Sequence, residues 1–350
     1  YRGARADYDA WADAGATGWG YDDLLPYFRR SETRPGGDPA YRGLHGPVRV
    51  APLSRVHPIA TALLDAAAAR GLPVLDDANG PSNEGAVFAD YNAIEGDDGS
   101  FERWSTARAY LEPALARPNL DVLVDSPVHR IDLTGSRATG VTHLIDGREV
   151  TTTADRIVLA AGAMGTPRLL QLSGIGDPDR LAAVDIRPRH ALPGVGENFQ
   201  DHPLVLGVNF RAREGLGPVI GNGGGTMLNW RSSYAERGPD LHTVIAHGSR
   251  GDEALHARYD LGGDQMFALV PGLYGSRSVG WVRVRSADPT VPPEFQPNYL
   301  ADPKDLVAMV EAMDVAQELV AGPAYADLHP EPLTPPPSMT DRAERGRSLT

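Results

Sequence analysis

Apolar and polar positions alternate with a helical period early in this chain and with a period of two later on. Across residues 57–70, Ile59, Leu63 and Leu64 recur at helical spacing, Pro58 suits the first turn and Gly71 follows the end, so a helix is predicted there. Residues 22–30 also read as a helix, with Pro26 the residue able to interrupt it. Residues 36–50 are turn-rich with a short strand at 48–50, the polar, glycine-rich stretch 76–99 reads as loop, and 103–115 reads as helix. From Leu120 the period shortens. Residues 122–124, 128–131, 138–145 and 148–152 read as successive strands, with Asp146-Gly147 a hairpin turn between the last two. The apolar run 157–161 reads as a buried parallel strand. A bend of small residues and a helix follow: Thr166 is the expected N-cap, Pro167 the first helical residue, Leu169, Leu170 and Leu172 the apolar side, and Ser173-Gly174 the stop. Alternating runs at 205–210, 241–245, 265–269 and 281–284 predict a second, antiparallel sheet. Residues 302–320 predict an amphipathic helix, with Leu306, Val307, Val310, Met313 and Leu319 on one side. The expected fold class is mixed α/β.

Composition narrows the functions open to such a fold. A net charge of −13 argues against a nucleic-acid or anionic-membrane partner, because either needs a basic face. No run approaches the eighteen or so apolar residues of a spanning helix. The chain has no cysteine, which excludes disulfides, thiolate metal sites and cysteine nucleophiles and fits a cytoplasmic protein. The ten histidines form no metal-ligand pattern; for His242 and His247 a solvated or satisfied core role is expected. No G-x-S-x-G elbow occurs, and Asp201 and His202, being adjacent, point apart and make no ready His–Asp dyad.

The most specific stretch is Gly162-Ala163-Met164-Gly165-Thr166-Pro167-Arg168-Leu169-Leu170-Gln171-Leu172-Ser173-Gly174-Ile175-Gly176. It resembles the second signature of the glucose–methanol–choline oxidoreductases, which are FAD-dependent alcohol oxidases and dehydrogenases. Arg103-Trp104-Ser105-Thr106-Ala107-Arg108-Ala109-Tyr110-Leu111 upstream resembles that family too. So does Leu192-Pro193-Gly194-Val195-Gly196-Glu197-Asn198-Phe199-Gln200-Asp201-His202 downstream, with Phe199 where leucine is usual. The likeness begins at Tyr1-Arg2-Gly3 and runs to about Ala321.

The resemblance implies an FAD-binding Rossmann-like domain, with residues 1–34 and 96–203 in it, and an antiparallel-sheet substrate domain, with 35–95 as a segment and loops and 204–350 as its main part. It implies oxidation of a small-molecule alcohol by hydride transfer to FAD, reoxidised by oxygen or a carrier. Val128 would offer its backbone to the adenine, and Ala161 and Gly162 would line the dinucleotide. The family's phosphate-binding G-x-G-x-x-G and its catalytic histidine have no counterpart in the chain. The expectation is therefore an internal fragment with no catalytic residue of its own, the base being expected beyond Thr350, and with weak FAD binding or none when isolated. The substrate wall is expected in residues 214–230, where Trp230 and Glu214 offer little to a choline-like cation. The alternatives are a hydroxynitrile lyase of the same fold and a truncated, non-catalytic product.

Overall fold

A computed structural model describes residues 1–96, 100–339 and 341–349. Packing divides the chain into two compact units. One comprises Tyr1–Arg117, His202–Ser276 and Asp302–Thr350; the other comprises Pro118–Asp201 and Arg277–Ala301. This division by packing is separate from the division by cofactor and substrate roles expected above.

The first unit is built on a six-stranded antiparallel sheet. Its strands run in the order Glu331–Thr334, Val208–Arg211, Met266–Leu273, Leu241–His247, Thr226–Trp230, Gly85–Phe88. Three of the four alternating runs expected in a second sheet lie here; the run at 281–284 belongs to the other unit. The Gly85–Phe88 strand lies within the stretch expected to be loop. Its four residues are too short a run to stand out in a polar neighbourhood, and it is held as an edge by pairing with Thr226–Trp230. Gly99, where that expected loop ended, lies outside the described residues.

One face of this sheet packs on helices Pro58–Ala69 and Pro303–Ala321. His57 caps the first, its Nδ1 accepting from Ile59 N, and Pro58 opens it as expected. Asp302 caps the second through Lys304 N. Thr226 Oγ1 donates to Ala60 O, and the Phe267 ring stacks on Tyr325 at 5.7 Å, so Thr226 and Phe267 mark the helix-packed face. Of the expected stripe on 302–320, Val310, Met313 and Leu319 are buried, whereas Val307 is exposed and Leu306 half-buried. The short helix Arg342–Leu349 packs beside Leu306, Val307 and Val310.

Elsewhere in this unit, Tyr21–Ser31 is one helix that passes through Pro26. The helix expected over 103–115 is largely replaced. Arg103 ends a short strand, Ala107–Leu111 forms a π-type turn, and Glu112–Ala114 tightens to a 3-10 turn at Pro113, which has no N–H to continue a wider ladder.

The second unit holds the expected meander as strands Val128–Thr134, Arg137–Ile145 and Arg148–Thr153. Asp146 (φ 49°) and Gly147 (φ 74°) both have the positive φ that a two-residue I′ hairpin requires. Two expected strands do not form. Residues 122–124 and 157–161 have extended, apolar sequences but pair with no strand among the described residues, and Val124 is 76% and Val158 88% exposed. A strand needs a neighbour's ladder as well as an apolar run, and here the neighbour is missing from the contacts.

Helix Gly162–Leu172 packs against the meander. Ser173 joins them, its Oγ accepting from Ile131 N and donating to Leu169 O. Buried Gln171 ties the helix to a small sheet of Glu197–Phe199, Gly280–Arg283 and Glu294–Gln296, through Val282 O and Val284 N. Gly280 lies at the crowded centre of that sheet, where an added Cβ would fall 1.7 Å from Gln296 O. Gly280→Ala is therefore expected to lower stability by about 3 kcal/mol, read as a lower urea midpoint. An unchanged midpoint would mean that the strands separate without cost.

Candidate functional site

The bend between residues 157–161 and the following helix takes its shape from glycine. Gly162 has φ +78°, a conformation that L side chains rarely adopt, and a Cβ built on it meets nothing within 4 Å. The helix starts there, four residues before the expected cap. Thr166 is not the N-cap; Ala161 holds that position, and Thr166 Oγ1 accepts from Ala161 N at 3.2 Å across the first turn. Pro167 is correspondingly inside the helix and not at its first position. No side chain caps the helix start and no acidic residue lies in its first turn, so its leading N–H groups keep their positive end uncompensated. Ala161 and Gly162 are both exposed. Val128 is half-buried at the start of the meander's outer strand. The bend and the strand lie in the same unit.

In the other unit, the sheet face opposite the helices carries a second set of polar groups. Asn229 pairs with His242 and His242 with Gly272, so the three lie side by side on three neighbouring strands and share that face. Trp230, expected in the substrate wall, points the other way with Thr226, because a strand alternates its side chains. The His242 imidazole is 5% exposed and stacks on the Tyr274 ring at 3.8 Å and 11°; the His202 ring lies 4.5 Å from Tyr274, and Tyr1 lies 6.4 Å from it. Gly272 makes the stack possible, since a Cβ there would come within 2.4 Å of His242 Nε2 and 2.5 Å of Leu204 Cδ2. Neither ring nitrogen of His242 has a hydrogen-bond partner, and neither does Asn229 Oδ1, although Asn229 Nδ2 donates to Asn83 O. The satisfied core role expected for His242 is thus corrected: it is buried and unsatisfied. His247 is half-buried, with Nε2 3.2 Å from Gly217 O.

Burial, with nearby His202 adding to the effect, lowers His242 to about 4. Burial raises Tyr274 to about 12 and raises Tyr1 as well. Burial also raises Asp7, against the opposing hydrogen bond from Ala4 N and the weaker pull of His202. For His242 the unfolded imidazole takes up a proton near pH 6.5, and the folded one only near 4. Its contribution to stability is complete above about 6.5 and is lost as pH falls through that window, on the order of 2–3 kcal/mol. His242→Phe should therefore lose less stability than the parent between pH 7.5 and 4.5 in urea unfolding. Parallel losses in the two proteins would refute that assignment.

Asp201 and His202 separate as expected of adjacent residues. The Asp201 carboxylate accepts from the Tyr299 hydroxyl, and the His202 ring packs on Tyr274. The signal for the polar row was present in the sequence, as a histidine inside the alternating run 241–245. Its lack of partners depends on strands far away in the chain.

Profile matches to GMC oxidoreductase cover residues 1–204 and, for that family's C-terminal region, 276–348. The chain is 33% identical over 372 residues to mitochondrial choline dehydrogenase of Mus musculus, covering 95% of this chain and 58% of that protein. It is 34% identical over 368 residues to the oxygen-dependent choline dehydrogenase of Staphylococcus xylosus, covering 97% and 63%. It therefore spans about three fifths of the length of these relatives. Among solved structures, pyridoxine 4-oxidase from Mesorbium loti superposes with TM-score 0.91 at 28% identity, over 99% of this chain and 68% of that one. An FAD-dependent oxidoreductase from Chaetomium thermophilum shares the fold with TM-score 0.82 at 23% identity, over 99% and 71%. Together with the mixed α/β architecture, these matches show that the chain belongs to the GMC oxidoreductase family.

Proposed function

We propose that the protein to which this chain belongs is an FAD-dependent oxidoreductase that oxidises an alcohol CH–OH group to an aldehyde or ketone. The observation that carries this reading is the likeness to choline dehydrogenases over 95–97% of the chain, and it is supported by a solved relative named as an oxidase of the alcohol pyridoxine. The residues present fit a flavin dinucleotide. The open space beside Gly162 and the uncapped start of its helix offer backbone N–H groups to a polar, anionic ligand. In this proposal Ala161 and Gly162 line the dinucleotide, and Val128 offers its backbone to the adenine. When bound, the flavin supplies the hydride acceptor.

Residues 1–34 and 96–203 are assigned to the cofactor-binding domain, and 35–95, as a segment and loops, with 204–350 to the substrate domain. The substrate is a small-molecule alcohol, and the electron acceptor is oxygen or a carrier. A cytoplasmic location is part of the same proposal and rests on the cysteine-free composition. The described residues contain no helix long and apolar enough to cross a membrane.

The test is anaerobic mixing of the flavin-loaded, full-length protein with choline, pyridoxine and benzyl alcohols. Bleaching of the visible flavin band by at least one of them is expected. A bound flavin that no alcohol reduces would overturn the reading.

A further inference from the structure

Residues 212–225 join strands Val208–Arg211 and Thr226–Trp230 without forming a helix or strand of their own. A loop of that length inside a compact unit needs fastening, because its backbone groups have no ladder to join. Two histidines from distant parts of the chain fasten it at neighbouring carbonyls. His57 Nε2 lies 2.8 Å from Leu216 O, and His247 Nε2 lies 3.2 Å from Gly217 O. The two rings meet edge to face, 5.0 Å apart at 87°. Leu216 N also donates to Asp264 O at 3.0 Å, and farther along Asn222 Oδ1 accepts from Gly224 N and from the Tyr91 hydroxyl.

The partners decide where the protons sit. His57 Nδ1 accepts from Ile59 N at the start of helix Pro58–Ala69, so its one proton is on Nε2 and points at Leu216 O. His247 Nε2 faces a carbonyl and is a donor as well. Both bonds are thus made by neutral rings. A second proton on His57 would put a donor where Ile59 N needs an acceptor, and charging both rings would set two cations 5.0 Å apart. Burial holds the proton affinity of His247 below the ordinary imidazole value. His57 and Arg250 act in the same direction, while the bond to Gly217 O and the Asp264 carboxylate oppose them. Nearby, Arg213 and Glu214 in the loop are exposed, Arg55 pairs with Glu95, and Tyr91 is kept protonated by burial.

We propose that His57 and His247 form an acid-released latch on the loop of residues 212–225: neutral, they pin Leu216 and Gly217, and protonation lets this stretch go. The latch is a property of the fold and does not rest on the proposed alcohol oxidation, although its loop overlaps the 214–230 stretch expected to wall the substrate. The sign follows from the two states of His247. In the open loop the imidazole takes up a proton near pH 6.5, and in the closed loop only at lower pH. Closure keeps its full advantage above about pH 6.5 and loses it as the pH falls below, by at most about tenfold per unit for one proton.

The experiment follows backbone hydrogen exchange by mass spectrometry in the flavin-loaded, full-length protein at pH 7.5, 6.5 and 5.5. Protection factors are compared, since they divide out the effect of acid on exchange itself. In the parent, protection of a peptide spanning 214–225 should fall several-fold between pH 7.5 and 5.5, while helix Pro58–Ala69 and strand Met266–Leu273 lose less. His247→Gln keeps an N–H for Gly217 O and cannot gain a charge, so it should lose most of that pH response. His247→Phe should leave the loop poorly protected already at pH 7.5. The latch is refuted by a loop that is unprotected in the parent at every pH, or by one whose protection does not change with pH. It is also refuted if helix and strand lose protection in step with the loop, or if His247→Gln responds to pH as the parent does.

Discussion

Gly162→Leu is expected to strip the flavin from the full-length protein. Two effects act at this residue, and a second substitution separates them. Any side chain at φ +78° is strained, by about 1–2 kcal/mol, and both Gly162→Ala and Gly162→Leu carry that strain. Only leucine also fills the open space beside the helix start, where a Cβ itself touches nothing. The alanine variant should keep most of its visible flavin absorbance after purification, whereas the leucine variant should keep almost none. With the flavin removed from both, their urea midpoints should fall by similar amounts, since bound flavin would itself stabilise the alanine protein. If the leucine protein is purified with a full complement of flavin, Gly162 serves only the bend of the chain and the proposed cofactor contact is wrong.

The largest loss of stability is expected at Arg42. Its side chain is fully buried and lies 3.2 Å from Glu32, 3.2 Å from Asp77 and 2.9 Å from Asp90. The contact with Glu32 is an ion pair without hydrogen-bond alignment, so Arg42 Nε itself is unsatisfied. Arg42→Met keeps much of the volume and removes the charge, leaving mostly buried carboxylates short of one cation. Glu32 would still have Arg2 at 2.6 Å and Asp90 would still have Arg34 at 3.1 Å, but Asp77 would lose its guanidinium. A loss of about 3–5 kcal/mol is expected, read from urea unfolding. Arg237→Ala removes a solvent-exposed pair with Asp13 and should leave the midpoint where it was. If both variants behave alike, the buried network is no more than surface decoration turned inward.

The parts of the fold that are readable from the sequence are those whose cause is local. The Pro58–Ala69 helix carries its proline, its stripe and its terminating glycine within a few residues, and the Asp146-Gly147 hairpin carries its turn chemistry in two. Residues 122–124 and 157–161 have equally good apolar patterns and form no strand, since pairing depends on a partner that no local pattern reports. The misplaced start of the Gly162–Leu172 helix has a similar origin. Thr166 and Pro167 form a proper start signal, but the hydroxyl is used across the turn before it.

The candidate site divides the same way. The bend at Ala161 and Gly162 is legible because its small residues are contiguous. The row of Asn229, His242 and Gly272 is not, because its members come from three strands and its meaning lies in bonds that are not made. Arg42 falls in a turn-rich stretch, and its three acidic partners, Glu32, Asp77 and Asp90, come from as far away as Asp90.

The order of strands in the six-stranded sheet bears on how the protein is made. Its outer strands, Gly85–Phe88 and Glu331–Thr334, lie about 240 residues apart in sequence, and each pairs with a strand more than a hundred residues away. A ribosome adding about 5–20 residues per second exposes the first edge well before the last one exists. During that interval the growing chain presents unpaired backbone and apolar side chains that nothing yet covers, and such long-range pairing is slow to form even afterwards. Yield of soluble protein should therefore respond to slower translation at low temperature and to holding chaperones more than to any single stabilising substitution.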